Sequence, residues 1–220
     1  MKIKKDSSFN KTYWNNFYKS PHKNQESNFA HFCFEKIQHL KSLSLIDLGC
    51  GNGRDSIFFN SKKIPILGLD LSEITIEKLN NLSLDNSRFI SCDFAKIENI
   101  TKEINDFTKN MTKVFYSRFS IHCLNQDTQN ILFEWIKKNM NENDLFFIES
   151  RTTKDELFKV GIESEEGYFT DHYRRFIDYE KFHSYANNMG FRVDFQTTGK
   201  GFAKYKNEDP EVMRLILELK

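Results

Sequence analysis

The pattern of apolar and polar positions becomes regular at a short apolar run, Leu43, Leu45, Ile46 and Leu48, of buried-strand length. Similar short runs recur at 65–69, 89–94, 114–119 and 145–148. Between them lie stretches with helical spacing. One follows Arg54 and Asp55, with Ile57, Phe58 and Phe59 available to pack on a sheet. A second starts at Ser72 and Glu73 and carries Ile74, Ile76, Leu79 and Leu82. A polar helix is predicted over 96–110, and an amphipathic one over 126–140 with Ile131, Leu132, Trp135 and Ile136. Strands alternating with helices predict an α/β fold, a Rossmann-like doubly wound sheet.

The flanks extend this picture. Residues 28–40 have helical spacing at Phe29, Phe32, Ile37 and Leu40, preceded by the aromatics Tyr13, Trp14, Phe17 and Tyr18 and a Ser20-Pro21 turn pair. Residues 152–170 read as a helix and an acidic loop containing Gly161 and Gly167. A helix over 179–189 is stopped by Gly190. Residues 191–197 and 201–205 alternate around a Thr-Gly-Lys-Gly turn, a hairpin signal. A terminal helix is predicted after Asp209-Pro210. The expectation is therefore a seven-stranded sheet, mostly parallel, with an antiparallel C-terminal hairpin edge. N-terminal helices occupy 1–40, and one domain fills 41–220, with a substrate-specific insertion at about 151–178.

Composition narrows the function. A chain of 220 residues suits one domain with a sizeable core. With 32 basic and 31 acidic residues the net charge is +1, so no global field favours nucleic acid or a membrane surface. A mean hydropathy of −0.61 and the lack of a long apolar run argue against a membrane span. The basic start, Met-Lys-Ile-Lys-Lys-Asp, is followed by no apolar segment, so no secretory signal is expected. Cys33, Cys50, Cys92 and Cys123 are scattered without a C-x-x-C pair. A reduced, cytoplasmic protein with no disulfide framework and no metal is expected.

The chemistry concentrates after the first run. Gly49, Gly51 and Gly53 are a third of the nine glycines and fall within five residues. Glycine lets a ligand approach the backbone, and the N–H groups of the following helix can receive an anionic group. A dinucleotide turn, G-x-G-x-x-G, would need glycine where Arg54 stands; the pattern here is G-x-G-x-G. Asp47 lies inside the first strand. Asp70 ends the second, roughly twenty residues after the turn, where an acid meets ribose hydroxyls. Asp93 ends the third. A strand-end Asp can simply cap a helix, but three on successive strands form a constellation.

Asp47-Leu48-Gly49-Cys50-Gly51-Asn52-Gly53 resembles motif I of the class I S-adenosylmethionine (SAM)-dependent methyltransferases. The resemblance implies SAM as cofactor, with Gly49, Cys50, Gly51 and Arg54 wrapping its methionine end. It implies that Asp70 and Leu71 hold the ribose, that Asp93 and Phe94 hold the adenine, and that Ser117 borders the cofactor. The Trp14-x-x-Phe17-Tyr18 segment resembles a lid placing Tyr13, Trp14 and Tyr18 over it, although the same rings could simply pack helices on the sheet.

Stretches 116–122 and 172–177 resemble a narrower group, small methyltransferases of bacterial capsular-polysaccharide clusters, which implies O-methylation of phosphoramidate or sugar precursors. The end of the fourth strand faces the methyl group in the family. The Asn/Asp-Pro-Pro-Tyr/Phe tetrapeptide of nucleic-acid methyltransferases is missing there, and Arg118 and His122 stand instead. Arg118, Arg151, Arg174 and Arg175 lie at or beyond strand ends, beside His172 and Tyr173. Any single arginine can be a surface ion pair; together they point to a small anionic or polar acceptor, not nucleic acid. His122 and His172 suit a general base if the acceptor is a hydroxyl, or are hydrogen-bonded structural residues. His22, His31 and His39 are read as surface or packing residues. Two other classes compete: a non-catalytic SAM-binding module, and a nicotinamide oxidoreductase, which Arg54 disfavours. The oligomeric state is not indicated.

Overall fold

The computed structural model describes residues 7–20, 25–205 and 207–220. Pro21, His22 and the basic start at 1–6 lie outside the described residues. Seven strands form one sheet in the order β3-β2-β1-β4-β5-β10-β9. They are β1 (Leu43–Leu48), β2 (Ile66–Asp70), β3 (Ser87–Ser91), β4 (Thr112–Arg118), β5 (Leu145–Arg151), β9 (Phe191–Gly199) and β10 (Val212–Leu219). A second sheet holds three short strands, β6 (Ile162–Glu163), β7 (Tyr168–Phe169) and β8 (Tyr173–Arg174). By packing, the chain divides between Tyr116 and Ser117 into two compact units.

In the N-terminal unit β3, β2, β1 and β4 pair in parallel, with Leu45 opposite Ile66 and Ile46 opposite Phe115. All six residues of β1 are buried. A strand covered on both faces reads as a continuous apolar run, which is why it stands out in the sequence. The helices are α1 (Ser7–Phe17), α2 (Asn28–Ile37), α3 (Arg54–Ser61), α4 (Glu73–Asn80) and α5 (Thr101–Phe107). Ser27 and Ser72 cap α2 and α4 by accepting from the N–H groups of Ala30 and Thr75.

In the C-terminal unit, α6 (Gln126–Asn139) is capped by Asn125 and α7 (Tyr179–Asn188) by Asp178. Phe133 of α6 is fully buried, with the rings of Phe146, Phe182, Tyr185 and Phe191 5.3–5.8 Å or 5.9 Å from its own. β10 lies between β5 and β9 and is antiparallel to both.

Four sequence expectations are corrected. The run after Pro210 is not a helix but the strand β10, whose first six residues are buried. A strand buried on both faces shows no alternation and cannot be told from a buried helix by period alone. The hairpin partner expected at 201–205 is irregular, with only a Tyr205–Glu208 bridge. The helix expected within 152–170 is replaced by turns and the strands β6 and β7. The polar helix at 96–110 is shorter: a 3-10 segment over Phe94–Ile100 and then α5.

Candidate functional site

The glycine turn is built from backbone. Gly49, Gly51 and Gly53 have φ of +84°, +53° and +77°, a region that side chains rarely enter. The Gly49 and Cys50 N–H groups donate to the Leu69 carbonyl at 2.7 and 3.0 Å. Asp70 fastens the turn to the next helix: Oδ2 accepts from Gly51 N–H at 2.9 Å and Oδ1 from Ser72 N–H at 2.8 Å. Burial raises the Asp70 pKa, opposed by these N–H groups. A carboxylate accepts about four hydrogen bonds, so both oxygens keep capacity for hydroxyl donors.

The other acids of this unit also have protein partners. Asp47 is buried and accepts from Ser56 Oγ at 2.6 Å, tying β1 to α3. Asp93 caps the 3-10 segment, accepting from Ala95 N–H at 3.0 Å, and Phe94 beside it is buried. Arg54 Nε lies 3.9 Å from Asp55. Asp55 itself, not singled out from sequence, accepts from Ser27 N–H, Ser27 Oγ and the Tyr116 hydroxyl at 2.7, 2.8 and 2.7 Å. Its partners are far apart in the chain, so no local spacing reveals it. Burial and the charges of Asp70 and Asp47 push the Cys50 thiol well up.

α1 is fastened to α4 by a Lys11–Glu73 ion pair of 2.6 Å and a Ser72 Oγ to Asn15 Oδ1 bond of 2.8 Å. Tyr13 and Trp14 have ring centroids 4.9 Å apart, and Trp14 stacks on Tyr18 at 6.0 Å. A Cβ on Gly51 would run into the Tyr18 hydroxyl. Tyr18 therefore stands directly at the glycine turn.

The C-terminal unit offers side chains instead. Ser117 Oγ lies 2.6 Å from Ser120 Oγ. Arg118 Nε donates to Glu149 Oε1 at 2.8 Å, and the buried Glu149 also accepts from Arg214 Nε at 2.8 Å. The Arg118 guanidinium lies 4.4 Å over the Phe119 ring, which stacks on the His122 ring at 5.5 Å and 23°. Phe119 holds φ +56°. A bulky residue there stores about 1–3 kcal/mol of strain. That turn begins directly after β4.

His122 is 4% exposed, and its Nδ1 has no hydrogen-bond partner among the described residues. Burial lowers its pKa well below the usual histidine range, helped by the charges of His172, Arg174, Arg151 and Arg118. The imidazole is thus neutral at pH 7. His172 Nδ1 lies 3.0 Å from Asp171 Oδ2. Arg174 Nη1 donates to Asp171 Oδ1 at 2.6 Å and to Thr170. The hydrogen bond from His172, above all, holds the Asp171 carboxyl far below the usual range. Arg175 N–H donates to the His122 carbonyl at 2.7 Å, and its guanidinium reaches Gln126 Oε1 at 2.9 Å and Gln129. Burial pushes the neighbouring Tyr173 up to about 12.

Sequence reasoning put seven residues of this unit, Arg118, His122, Arg151, His172, Tyr173, Arg174 and Arg175, at an acceptor site. The fold gathers His122, His172 and Arg174 around one another. It also gives each arginine protein partners: Glu149 for Arg118, Asp155 at 3.0 Å and Glu208 for Arg151, Asp171 for Arg174, and two glutamines for Arg175. The partners Glu149, Asp155, Asp171 and Arg214 were missed. Glu149 lies near the C-terminal end of β5, as Asp47 does in β1 and Asp70 in β2, so the same signal could have found it. Cys123 was also missed: ligand atoms of His122, Cys123 and His172 lie within 4.8 Å of one another.

Residues 39–188 match the family model described as a methyltransferase domain. That is well over half of the chain, and the protein belongs to this family. No curated protein matches it. Among solved structures, a SAM-dependent methyltransferase from Anabaena variabilis is 18% identical with a TM-score of 0.74, covering 100% of this chain and 98% of that one. The CcbJ methyltransferase of Streptomyces caelestis is 12% identical with a TM-score of 0.68, covering 98% and 99%. The 1,6-didemethyltoxoflavin-N1-methyltransferase of Burkholderia thailandensis, solved with that compound and S-adenosylhomocysteine, is 11% identical with a TM-score of 0.68, covering 100% and 92%. At these identities the likeness is one of fold: a seven-stranded mixed sheet with flanking helices.

Proposed function

We propose that this methyltransferase takes the methyl group of SAM and transfers it to an oxygen of a small polar acceptor. The observation that carries the reading is the left-handed triple-glycine turn with Asp70 bonded to Gly51 N–H. Its glycines carry no side chain of their own toward a ligand, and the remaining capacity of Asp70 suits the two vicinal hydroxyls of a ribose. Asp93 and Phe94 are assigned to the adenine. Tyr18, with Tyr13 and Trp14 behind it, covers the methionine end beside Gly49, Cys50, Gly51 and Arg54.

Transfer is an in-line displacement at the sulfonium methyl, so the protein's contribution is alignment and proton removal. Asp171 holds the His172 ring through Nδ1, which fixes an orientation that suits a general base. His122 is kept neutral beside it. This arrangement favours an acceptor hydroxyl, such as that of a sugar in a capsular-polysaccharide precursor. A second reading rests on Arg118. Its fork is presented between Glu149 and the Phe119 ring and could orient a pre-ionised oxygen, such as that of a phosphoramidate. No base is then needed.

Calorimetry with SAM, S-adenosylhomocysteine and NAD tests the cofactor: the first two bind and NAD does not. Binding of NAD in their place overturns the reading. Capsule precursors screened by mass spectrometry identify the acceptor. For a hydroxyl acceptor, His172→Asn lowers turnover roughly 10²–10⁴-fold while SAM affinity holds. For an anionic acceptor that variant stays active and Arg118→Lys loses turnover.

A further inference from the structure

We infer that His122, Cys123 and His172 form a binding site for a zinc-class transition-metal ion. Two histidines and one cysteine offer ligand atoms within 4.8 Å of one another. In a tetrahedral shell at Zn–N of about 2.0 Å and Zn–S of about 2.3 Å, ligands stand about 3.3–3.5 Å apart, so small side-chain rotations close the set. Two imidazole nitrogens and one thiolate suit zinc rather than the oxygen-seeking magnesium or calcium. Three protein ligands leave the fourth position to water.

The surroundings fit the same assignment. A metal-bound histidine typically has a carboxylate on its other ring nitrogen, and Asp171 lies 3.0 Å from Nδ1 of His172. His122 is buried with one ring nitrogen lacking a partner among the described residues, a cost that buried polar atoms seldom carry without a use. The two ligand segments are clamped together by the bond from Arg175 N–H to the His122 carbonyl. Arg118, Arg151 and Arg174 would repel a dication, but each is already paired with a carboxylate, Glu149, Asp155 and Asp171 respectively. Cys123 Sγ now reaches the Phe119 carbonyl at 3.6 Å. Binding replaces that contact and releases the thiol proton to solvent. The ligands are two adjacent residues and one far along the chain, so no sequence spacing announces them.

One consequence rests on the proposed function. While the ion is bound, the imidazole of His172 is occupied and cannot accept a proton, so zinc inhibits transfer to a hydroxyl.

The test is titration of the purified full chain with Co²⁺, read by absorption, with no SAM present. One equivalent is expected, with a thiolate-to-cobalt charge-transfer band that added Zn²⁺ bleaches. Cys123→Ser removes the band, and His122→Asn and His172→Asn each weaken binding at least tenfold. His31→Asn, on an exposed histidine, changes nothing. Failure of the wild-type chain to give the band overturns the site, as does unchanged binding in the Cys123 and His172 variants. A band that Zn²⁺ does not bleach overturns the zinc assignment. Because the spectrum needs neither cofactor nor acceptor, the site can fail while the methyltransferase reading stands, and the reverse.

Discussion

In the N-terminal unit the candidate site is built on a backbone turn whose N–H groups are tied to the Leu69 carbonyl and to Asp70. In the C-terminal unit the candidate groups are side chains, and other side chains hold them. Asp70 shows the first arrangement, with both oxygens on turn amides. Arg118 shows the second, held by Glu149, which is shared with Arg214. A backbone site is local in sequence and survives many substitutions around it. A side-chain site depends on charges brought from distant segments, and losing one leaves its partners stranded.

The largest effect that would separate the two follows from Glu149. Glu149→Ala leaves Arg118 and Arg214 without their shared buried carboxylate. Stability should fall by about 3–5 kcal/mol, the cost of breaking a buried ion pair on one side. Urea denaturation measures it; a loss below about 1 kcal/mol would mean that the ion pairs of this unit are decorative. On the backbone side, Gly51→Val places a branched side chain at φ +53° and against the Tyr18 hydroxyl. SAM affinity should fall by more than about a hundredfold, roughly 2.7 kcal/mol, in a protein that still folds. Normal SAM binding in that variant would show that the turn has room to spare.

Asp70→Ala is milder. It removes hydrogen bonds to a charged acceptor and should weaken SAM binding by about 1–3 kcal/mol, read by calorimetry. Affinity equal to wild type would take Asp70 out of the cofactor site and leave it as a brace for the turn. The smallest effect concerns thiols. Cys33, Cys50 and Cys92 are buried, and burial pushes Cys92 up to about 12, whereas Cys123 is partly exposed. A disulfide reagent at pH 8 should therefore modify Cys123 first in the folded protein, since thiolate fraction and access set the rate. Mass spectrometry finding Cys50 or Cys92 modified first would show that the glycine-turn side opens more readily than the side-chain site.

The same contrast decided what could be read from the sequence. The glycine turn, β1, β2 and Asp70 are local patterns and stand where the spacing places them, whereas β3 ends at Ser91 and Asp93, read as its last residue, caps the 3-10 segment beyond it. The N-terminal segment was legible as a helix with aromatics, but not the placement of Tyr18 at Gly51. In the C-terminal unit the histidines and arginines were recognisable as residue types at strand ends. Their pairing was not, because Glu149 with Arg214 and Arg151 with Glu208 join residues 65 and 57 positions apart. The terminal strand failed for another reason. Met213, Leu215, Ile216 and Leu217 are all buried, and an interior strand without alternation carries no period to recognise.

The place of β10 also bears on how the protein is made. It follows β5 and β9 in sequence yet lies between them in the sheet. During synthesis β5 emerges early and keeps a bare hydrogen-bonding edge until Val212–Leu219 follows. An uncovered edge of that kind recruits other chains. The nascent polypeptide is therefore open to misassembly until β10 leaves the ribosome, and chaperones that shield β5 meanwhile should raise the yield of folded protein.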